Sequence, residues 1–193
     1  MIAFLKGNFV NKTPSTVYMD VNGVGYEVQI SLNTYSKVQS LKEGLLHTHL
    51  LVREDAHILF GFFDVAEKEL FQQLINVSGV GASTARIMLS YMRPEELNRA
   101  IVQGNVRLLE SIKGIGKKTA ERLVLELRDK LAKQPIGPNI SPLKGNTMQA
   151  DALNALVALG INRQAADNAI QKVLEQTPEI GVEVLIKKAL QNL

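Results

Sequence analysis

The sequence predicts an α+β protein of several domains: a small N-terminal β-barrel, a central all-helical region, a flexible linker and a C-terminal three-helix module. Three observations predict this order. Apolar and polar residues alternate in residues 1–63, and a helix–turn–helix pattern occurs twice in residues 64–133. Residues 134–148 are then rich in proline and glycine, and short amphipathic segments follow in residues 149–193. A chain of 193 residues is long enough for two or three small domains.

The first region is predicted to contain five short strands, with a short helix at Leu32–Gln39 between the third and the fourth. Asn22-Gly23 separates two runs in which apolar and polar residues alternate, and Asn-Gly in that position favours a β-hairpin. Five strands in so short a region are typical of an OB-fold. The other strands are expected at Ile2–Gly7, Leu46–Arg53 and His57–Phe63.

The barrel's own candidate sites are few. OB-folds bind single strands through aromatic platforms and basic grooves, but residues 1–64 carry 5 basic and 6 acidic side chains, net −1. We therefore expect no stacking of bases here. Glu54 and Asp55 form an acidic hairpin tip, which the sequence alone predicts to be an ordinary solvated turn. His47, His49 and His57 lack a matching cysteine, so a metal site is not expected.

Composition restricts the class of protein further. The chain contains no cysteine, which excludes disulfide bridges and cysteine-ligated zinc and fits a reducing cytosol. No N-terminal signal pattern is present, and no apolar run reaches the roughly eighteen residues that a membrane-spanning helix needs. We therefore expect a cytoplasmic protein without a membrane partner.

The helical region is predicted to begin with a capping box at Asp64 and Glu67, and it is built around an internal repeat. Leu74–Arg86 and Leu109–Glu121 are near-copies that lie 35 residues apart. Each copy is predicted to be a helix, a Gly-apolar-Gly turn and a second helix. A repeat of this kind indicates two equivalent structural units.

The repeated turn has a clear physical use. Glycine takes positive φ without strain, so each turn can reverse the chain tightly, while the apolar residue between the glycines points back between the helices. The N–H groups at the start of the next helix lack helical acceptors and lie at the positive end of its dipole, which suits a phosphate oxygen. This pattern is typical of the helix-hairpin-helix motif, which binds the DNA backbone without sequence preference. The candidate backbone-binding residues are Gly79, Val80, Gly81, Ser83, Thr84, Gly114, Ile115, Gly116, Lys117, Lys118, Thr119 and Arg122.

Two other phosphate-binding patterns do not fit. A Walker A loop needs a glycine where Ser111 stands and a serine or threonine where Lys118 stands. A dinucleotide fingerprint needs a third glycine where Thr84 and Thr119 stand. The charge distribution favours a polyanion instead, because residues 65–133 carry 12 basic and 8 acidic side chains, net +4.

The last third of the chain differs in character. Residues 134–148 hold three of the chain's six prolines and are predicted to be a mobile linker. Residues 134–193 carry 5 basic and 5 acidic side chains, net 0. Residues 149–193 are predicted to form three short helices in a UBA-like module. Such a tethered module usually docks a protein partner, and a solubilising tail is the alternative.

The order of these regions and three strings within them closely resemble the RuvA family, the DNA-binding subunits of bacterial RuvA–RuvB branch-migration complexes. The resemblance covers essentially the whole chain. The strings are Arg53-Glu54-Asp55, Gly79-Val80-Gly81 and Gly114-Ile115-Gly116-Lys117-Lys118-Thr119-Ala120-Glu121-Arg122.

The resemblance implies more than the residues do. It implies a homotetramer that holds a four-way Holliday junction open and planar during DNA recombination, DNA repair and the SOS response. Two such tetramers can enclose one junction. Glu54 and Asp55 would form an acidic pin at its centre, which replaces the interpretation as a solvated turn. Residues 149–193 would dock the hexameric RuvB ATPase, and a RuvC-type resolvase would be a further partner. The chain itself would have no catalytic site and no cofactor, because the motor uses the ATP and Mg²⁺.

Two other classes of function stay open at this stage. The chain could be a helix-hairpin-helix accessory subunit of a structure-specific nuclease or ligase, or a protein-interaction scaffold without nucleic acid. An enzyme with its own chemistry would need clustered carboxylates for metal or a nucleophile beside a base, and the acidic residues here are scattered. The charge distribution and the paired turns argue against the scaffold.

Overall fold

The computed structural model describes residues 1–132, 148–177 and 180–192. Its N-terminal part is a closed five-stranded barrel with strand order β1-β2-β3-β5-β4, in which β1 pairs with both β2 and β4. All neighbours are antiparallel except β3 and β5. The predicted OB-fold is confirmed. The elements are β1 (Phe4–Lys12), β2 (Thr16–Val21), β3 (Val24–Ile30), α1 (Leu32–Val38), β4 (Glu43–Val52) and β5 (His57–Phe62).

The β2–β3 hairpin turns at the predicted place, with Asn22 at φ 52° and Gly23 at φ 86°. The predicted first strand was wrong in length, because β1 continues past Gly7 to Lys12. Its register shifts between Phe9 and Asn11, and this bulge breaks the alternation by which the sequence is read. A Cβ on Gly7 would lie 2.1 Å from the Asp20 carbonyl oxygen, so only glycine allows β1 and β2 to approach here.

The central helices continue directly from the barrel. They are α2 (Val65–Ile75), α3 (Ala82–Tyr91), α4 (Pro94–Val102), α5 (Val106–Glu110) and α6 (Lys117–Ala132). Strand β5 belongs to two cores: Leu59 packs into the barrel, whereas Phe60 and Phe62 pack among the helices. The ring of Phe71 on α2 lies 5.0 Å from that of Phe60 and 4.9 Å from that of Phe62, measured between centroids. The barrel and these helices therefore form one compact unit.

The predicted capping box at the start of α2 was wrong. Asp64 is the N-cap residue but its side chain makes no capping bond, and its carboxylate pairs instead with Lys37 of α1. Glu67 is fully buried and accepts hydrogen bonds from the hydroxyls of Ser31 and, at 2.8 Å, Thr34. Tertiary partners at the start of α1 have thus replaced the local capping interaction.

A second compact unit follows, with its own core. It consists of α7 (Met148–Ala158), α8 (Arg163–Gln176) and α9 (Val182–Gln191), as the predicted three-helix module requires. Its buried residues are Ala152, Leu156, Ala166, Ala169, Ile170, Val173, Ile180, Leu185 and Ala189. The linker predicted at 134–148 lies outside the described residues, except that Met148 begins α7. Among the described residues no helix is long and apolar enough to cross a membrane.

Burial of Glu67 predicts a pH dependence of folding. Desolvation raises the pKa of its carboxyl, while the Ser31 and Thr34 hydroxyls oppose that effect. Between the ordinary carboxyl pKa and this raised value the folded state holds a proton that the unfolded state has lost. The stabilisation that Glu67 contributes is therefore complete at a pH below the ordinary carboxyl pKa. It is lost as the pH rises through the raised pKa of the folded state. We expect Glu67→Gln, which cannot ionise, to remove this part of the pH dependence.

Urea unfolding of the wild type and Glu67→Gln from about pH 4 to pH 8 measures the effect. Glu69→Gln, exposed on the same helix, is the control and should follow the wild type. Parallel profiles for wild type and Glu67→Gln would contradict the prediction. Glu67→Ala should lower the free energy of unfolding by about 1–3 kcal/mol at low pH, because two buried hydroxyls lose their acceptor.

Candidate nucleic-acid interface

The first Gly-apolar-Gly turn joins α2 to α3. Gly79 has φ +92°, a conformation that favours glycine, and the side chain of Val80 is buried beneath the turn. The Val80 N–H bonds to the Val77 carbonyl at 3.0 Å. Gly81 is the N-cap residue of α3, without a side-chain cap, and its carbonyl accepts the Ala85 N–H at 2.9 Å.

The second turn, between α5 and α6, has the same conformation. Gly114 has φ +94°, and the Ile115 N–H bonds to the Ile112 carbonyl at 3.0 Å. The Ala120 N–H bonds to the Gly116 carbonyl at 2.9 Å, as Ala85 bonds to Gly81. The sequence repeat is therefore a structural repeat, bond for bond. We call the two units hairpin 1 (residues 74–91) and hairpin 2 (residues 109–126).

Each hairpin has a set of backbone N–H groups without helical acceptors at the start of its second helix. Because the first intrahelical bonds are donated by Ala85 and Ala120, the N–H groups of residues 82–84 and 117–119 have no helical acceptor. Gly81 and Gly116 are exposed, and a Cβ built on either would meet no atom within 4 Å. An anion can thus approach the backbone closely at both helix starts, where the dipole favours negative charge.

The predicted site residues do not all face solvent. Val80 and Ile115 have buried side chains and use their N–H groups within the turns, so they hold the turns rather than reach a ligand. Ser83, Lys117 and Lys118 are exposed, as expected for contact with a partner.

Thr84 and Thr119 link the two hairpins. The position of a Cβ on Gly79 lies 3.5 Å from the Thr119 hydroxyl oxygen, and the same position on Gly114 lies 3.7 Å from the Thr84 methyl. Both threonines are half-buried by this packing. Each threonine therefore lies against the glycine of the other hairpin, which fixes the distance between the two helix starts.

Arg122 also connects the hairpins. Its Nη1 donates to the Ser78 carbonyl of hairpin 1 at 3.3 Å, and its Nε lies 3.9 Å from the Glu126 carboxylate one helical turn away. Sequence reasoning did not select Lys113, which is exposed in the turn of hairpin 2. Its position directly before Gly114, which matches that of Ser78 before Gly79, could have identified it.

Arg86 has a different role from the exposed cations. It is half-buried on α3 and donates to the Ser15 carbonyl of the barrel at 2.9 Å. Burial lowers its pKa from the usual guanidinium range. This arginine therefore joins hairpin 1 to the barrel and is not free to meet a ligand.

The acidic turn lies between β4 and β5. The Arg53 N–H bonds to the Ala56 carbonyl at 2.8 Å and closes the turn, which leaves Glu54 and Asp55 exposed at its tip. In the part of the chain that the structure describes, no ion pair involves either carboxylate. The turn presents two adjacent carboxyl groups to solvent at the tip of the β4–β5 hairpin.

Within the described residues no group of three potential metal ligands occurs, so the three histidines do not lie together in one cluster. His49 instead packs edge-on against Phe71, with ring centroids 5.6 Å apart. Desolvation, and then the charge of Lys68, lower the pKa of His49. This histidine belongs to the junction between the barrel and α2.

Comparison with known proteins gives the same three-part division. Residues 1–61 match the RuvA N-terminal domain, residues 71–129 the SAM-like helix-hairpin-helix tandem, and residues 147–193 the RuvA C-terminal domain.

Whole-length relatives agree with these matches. The chain is 44% identical to the Holliday junction branch migration complex subunit RuvA of Christiangramia forsetii and also to that of Flavobacterium psychrophilum, over 193 residues and 100% of each chain. It is 43% identical to the RuvA subunit of Geobacter sulfurreducens over 197 aligned positions, with 100% of this chain and 99% of the other covered. These likenesses extend over the barrel, the hairpins and the three-helix module together, and the chain belongs to the RuvA family.

Proposed function

We propose that this chain binds four-way DNA junctions without sequence preference, holds them open and planar as a homotetramer, and recruits the RuvB ATPase for branch migration. The observation that carries the proposal is the pair of equivalent hairpins, each with backbone N–H groups that lack helical acceptors at a helix start and with open space beside its second glycine. Membership of the RuvA family supports the choice of a junction as the DNA substrate.

Backbone recognition suits a mobile junction. A junction that migrates has no fixed sequence, so its binder has to contact phosphates and shape rather than base edges. Two hairpins per subunit, repeated by the symmetry of a tetramer, give many weak contacts that act together. Because each contact is weak and independent of sequence, the DNA arms can slide past the protein.

The acidic turn fits the centre of such an assembly. Glu54 and Asp55 of four subunits would meet at the crossover, where their charge repels phosphates and favours separation of the strands. The turn follows β4, and β5 shares a core with α2, so the acidic tip and the hairpins belong to one compact unit. A second tetramer on the opposite face would enclose the junction.

The C-terminal module is the proposed docking site for the motor. Its three helices have their own core, and apolar side chains remain exposed on it; among its described residues Leu159 is the most exposed of these, at 65%. In this proposal RuvB carries out ATP hydrolysis with Mg²⁺, and this chain contributes no catalytic group. A RuvC-type resolvase would act on the face of the junction that a single tetramer leaves open. We assign this activity to the bacterial cytoplasm.

A comparison of junction and duplex binding separates this function from that of an accessory subunit of a nuclease or ligase. The purified protein should bind a synthetic four-way junction more tightly than a linear duplex of equal length. The affinity should fall with salt, with a log–log slope of about −0.9 for each phosphate contacted. Gel-shift titrations at two or more salt concentrations measure both quantities. Equal affinity for the junction and the duplex would favour the accessory subunit.

A second prediction concerns the acidic turn. Glu54→Gln with Asp55→Asn should leave junction binding unchanged or tighter, because two charges that repel phosphates are removed. The ratio of duplex to junction dissociation constants should fall, since nothing then disfavours a continuous duplex across the centre. Glu43→Gln, exposed at the other end of β4, should not change this ratio. Unchanged selectivity in the double variant would rule out the pin.

The third prediction concerns the motor. A chain that ends at residue 147 should bind junctions as the full chain does, because the two compact units have separate cores. Addition of RuvB and ATP should then give no branch migration. In the full chain, Leu159→Glu should weaken motor-dependent migration, whereas Gln164→Glu adds the same charge at an exposed polar position and should not. Undiminished migration by the shortened chain would exclude docking through the module.

A further inference from the structure

The two hairpins are equivalent in backbone geometry. Their glycine φ angles are +92° and +94°, and the hydrogen bonds that close each turn and begin each second helix differ by no more than 0.1 Å in length. Thr84 and Thr119 pack reciprocally against the opposite glycines. Residues 35 positions apart therefore occupy matching places, and each side chain of one hairpin can be compared directly with its counterpart.

This comparison shows that the hairpins differ in where their charges lie, although each has a net charge of +1. Residues 74–91 carry Arg86 alone, whereas residues 109–126 carry four cations and three carboxylates, Glu110, Glu121 and Glu126. Hairpin 2 carries four exposed cationic side chains around its turn and the first turns of α6. Every counterpart in hairpin 1 is uncharged. The matched pairs are Lys113 with Ser78, Lys117 with Ala82, Lys118 with Ser83, and Arg122 with Ile87.

No other cation compensates hairpin 1 from within its own sequence. Between residues 76 and 87, all of which the structure describes, Arg86 is the single cationic side chain, and it is half-buried against the barrel's Ser15 carbonyl. The guanidinium that does reach the turn of hairpin 1 belongs to hairpin 2, because Arg122 donates to the Ser78 carbonyl. Ile87, in the matching place, cannot make the reciprocal bond.

We infer that the two hairpins hold the DNA backbone by different interactions: hairpin 1 by neutral N–H and hydroxyl donors, hairpin 2 by cations as well. The inference rests on the proposed function and adds to it. Displacement of counterions from DNA requires protein cations, so of the two hairpins it is hairpin 2 that supplies nearly all of the salt-dependent affinity. Hairpin 1 fixes the position of the protein along the DNA through hydrogen bonds that depend little on salt. The two hairpins therefore contribute unequally to the binding of each DNA arm.

Exchanging one matched pair tests this inference. Ser83 and Lys118 are both exposed and occupy the same position in the repeat. Lys118→Ser should weaken binding and make the log–log salt slope shallower by about 0.9 for each subunit in contact. Ser83→Lys should tighten binding and steepen the slope by the same amount. The double variant S83K/K118S keeps the net charge and should restore the wild-type slope.

Lys130→Ser is the matched control, because it removes the same charge from an exposed position at the far end of α6. It should leave the slope close to that of the wild type. Titrations with the full-length protein against a fluorescent four-way junction and a linear duplex, over a range of salt concentrations, give the slopes. Thermal unfolding of each variant checks that the exposed substitutions leave the fold intact.

Two results would overturn the inference. If Ser83→Lys leaves the slope unchanged, the start of α3 does not meet a phosphate as the start of α6 does. If Lys118→Ser behaves like Lys130→Ser, hairpin 2 does not carry the salt-dependent affinity. Failure of the proposed function looks different: the wild type would then bind duplex and junction equally, while the slopes on either DNA would still report the charges of the two hairpins.

Discussion

The packing of β5 against α2 is the contact on which the rest of the structure depends. Phe60 and Phe62 of β5 belong to the core of the helices, where their rings lie beside that of Phe71. The barrel and the hairpins therefore share buried apolar surface. Burial of aromatic side chains on this scale is among the strongest stabilising terms available to a small domain. Without it, the acidic turn and the backbone N–H groups of the hairpins would lie on separate bodies, and their relative positions would not be defined.

Polar contacts then set the orientation of that packing. Glu67 is buried between α2 and the start of α1, where two hydroxyls satisfy its carboxyl, and Arg86 reaches from α3 to the Ser15 carbonyl of the barrel. Hydrogen bonds of this kind contribute modestly to stability, but a partner left unsatisfied in the interior is costly. These hydrogen bonds therefore add little to the total stability, but they disfavour other arrangements of the barrel and the helices. The unit has a defined shape as a result.

The chemistry offered to a ligand comes mostly from the backbone. Positive φ at the first glycine of each turn allows the chain to reverse within a few residues, and the second glycine leaves the following N–H groups uncovered. Such groups do not distinguish one phosphate from another, so in the proposed complex they would provide affinity without sequence preference. In the proposed complex, side chains would decide how strongly each hairpin responds to salt, while Glu54 and Asp55 would supply the opposing charge. Attraction along the arms and repulsion at the centre would together distinguish a junction from a duplex.

The sequence by itself determined the elements and their order, because the signals for them are local. Gly79 and Gly114 specify tight turns wherever they occur in such a pattern, since few other residues adopt positive φ without strain. The fold class and the repeated hairpins could therefore be predicted. Only the tertiary structure decided the partners of Glu67, and it placed Thr84 and Thr119 against the glycines of the opposite hairpins. Those contacts join residues far apart in the chain, and which of them form depends on how whole elements pack, which no local pattern records.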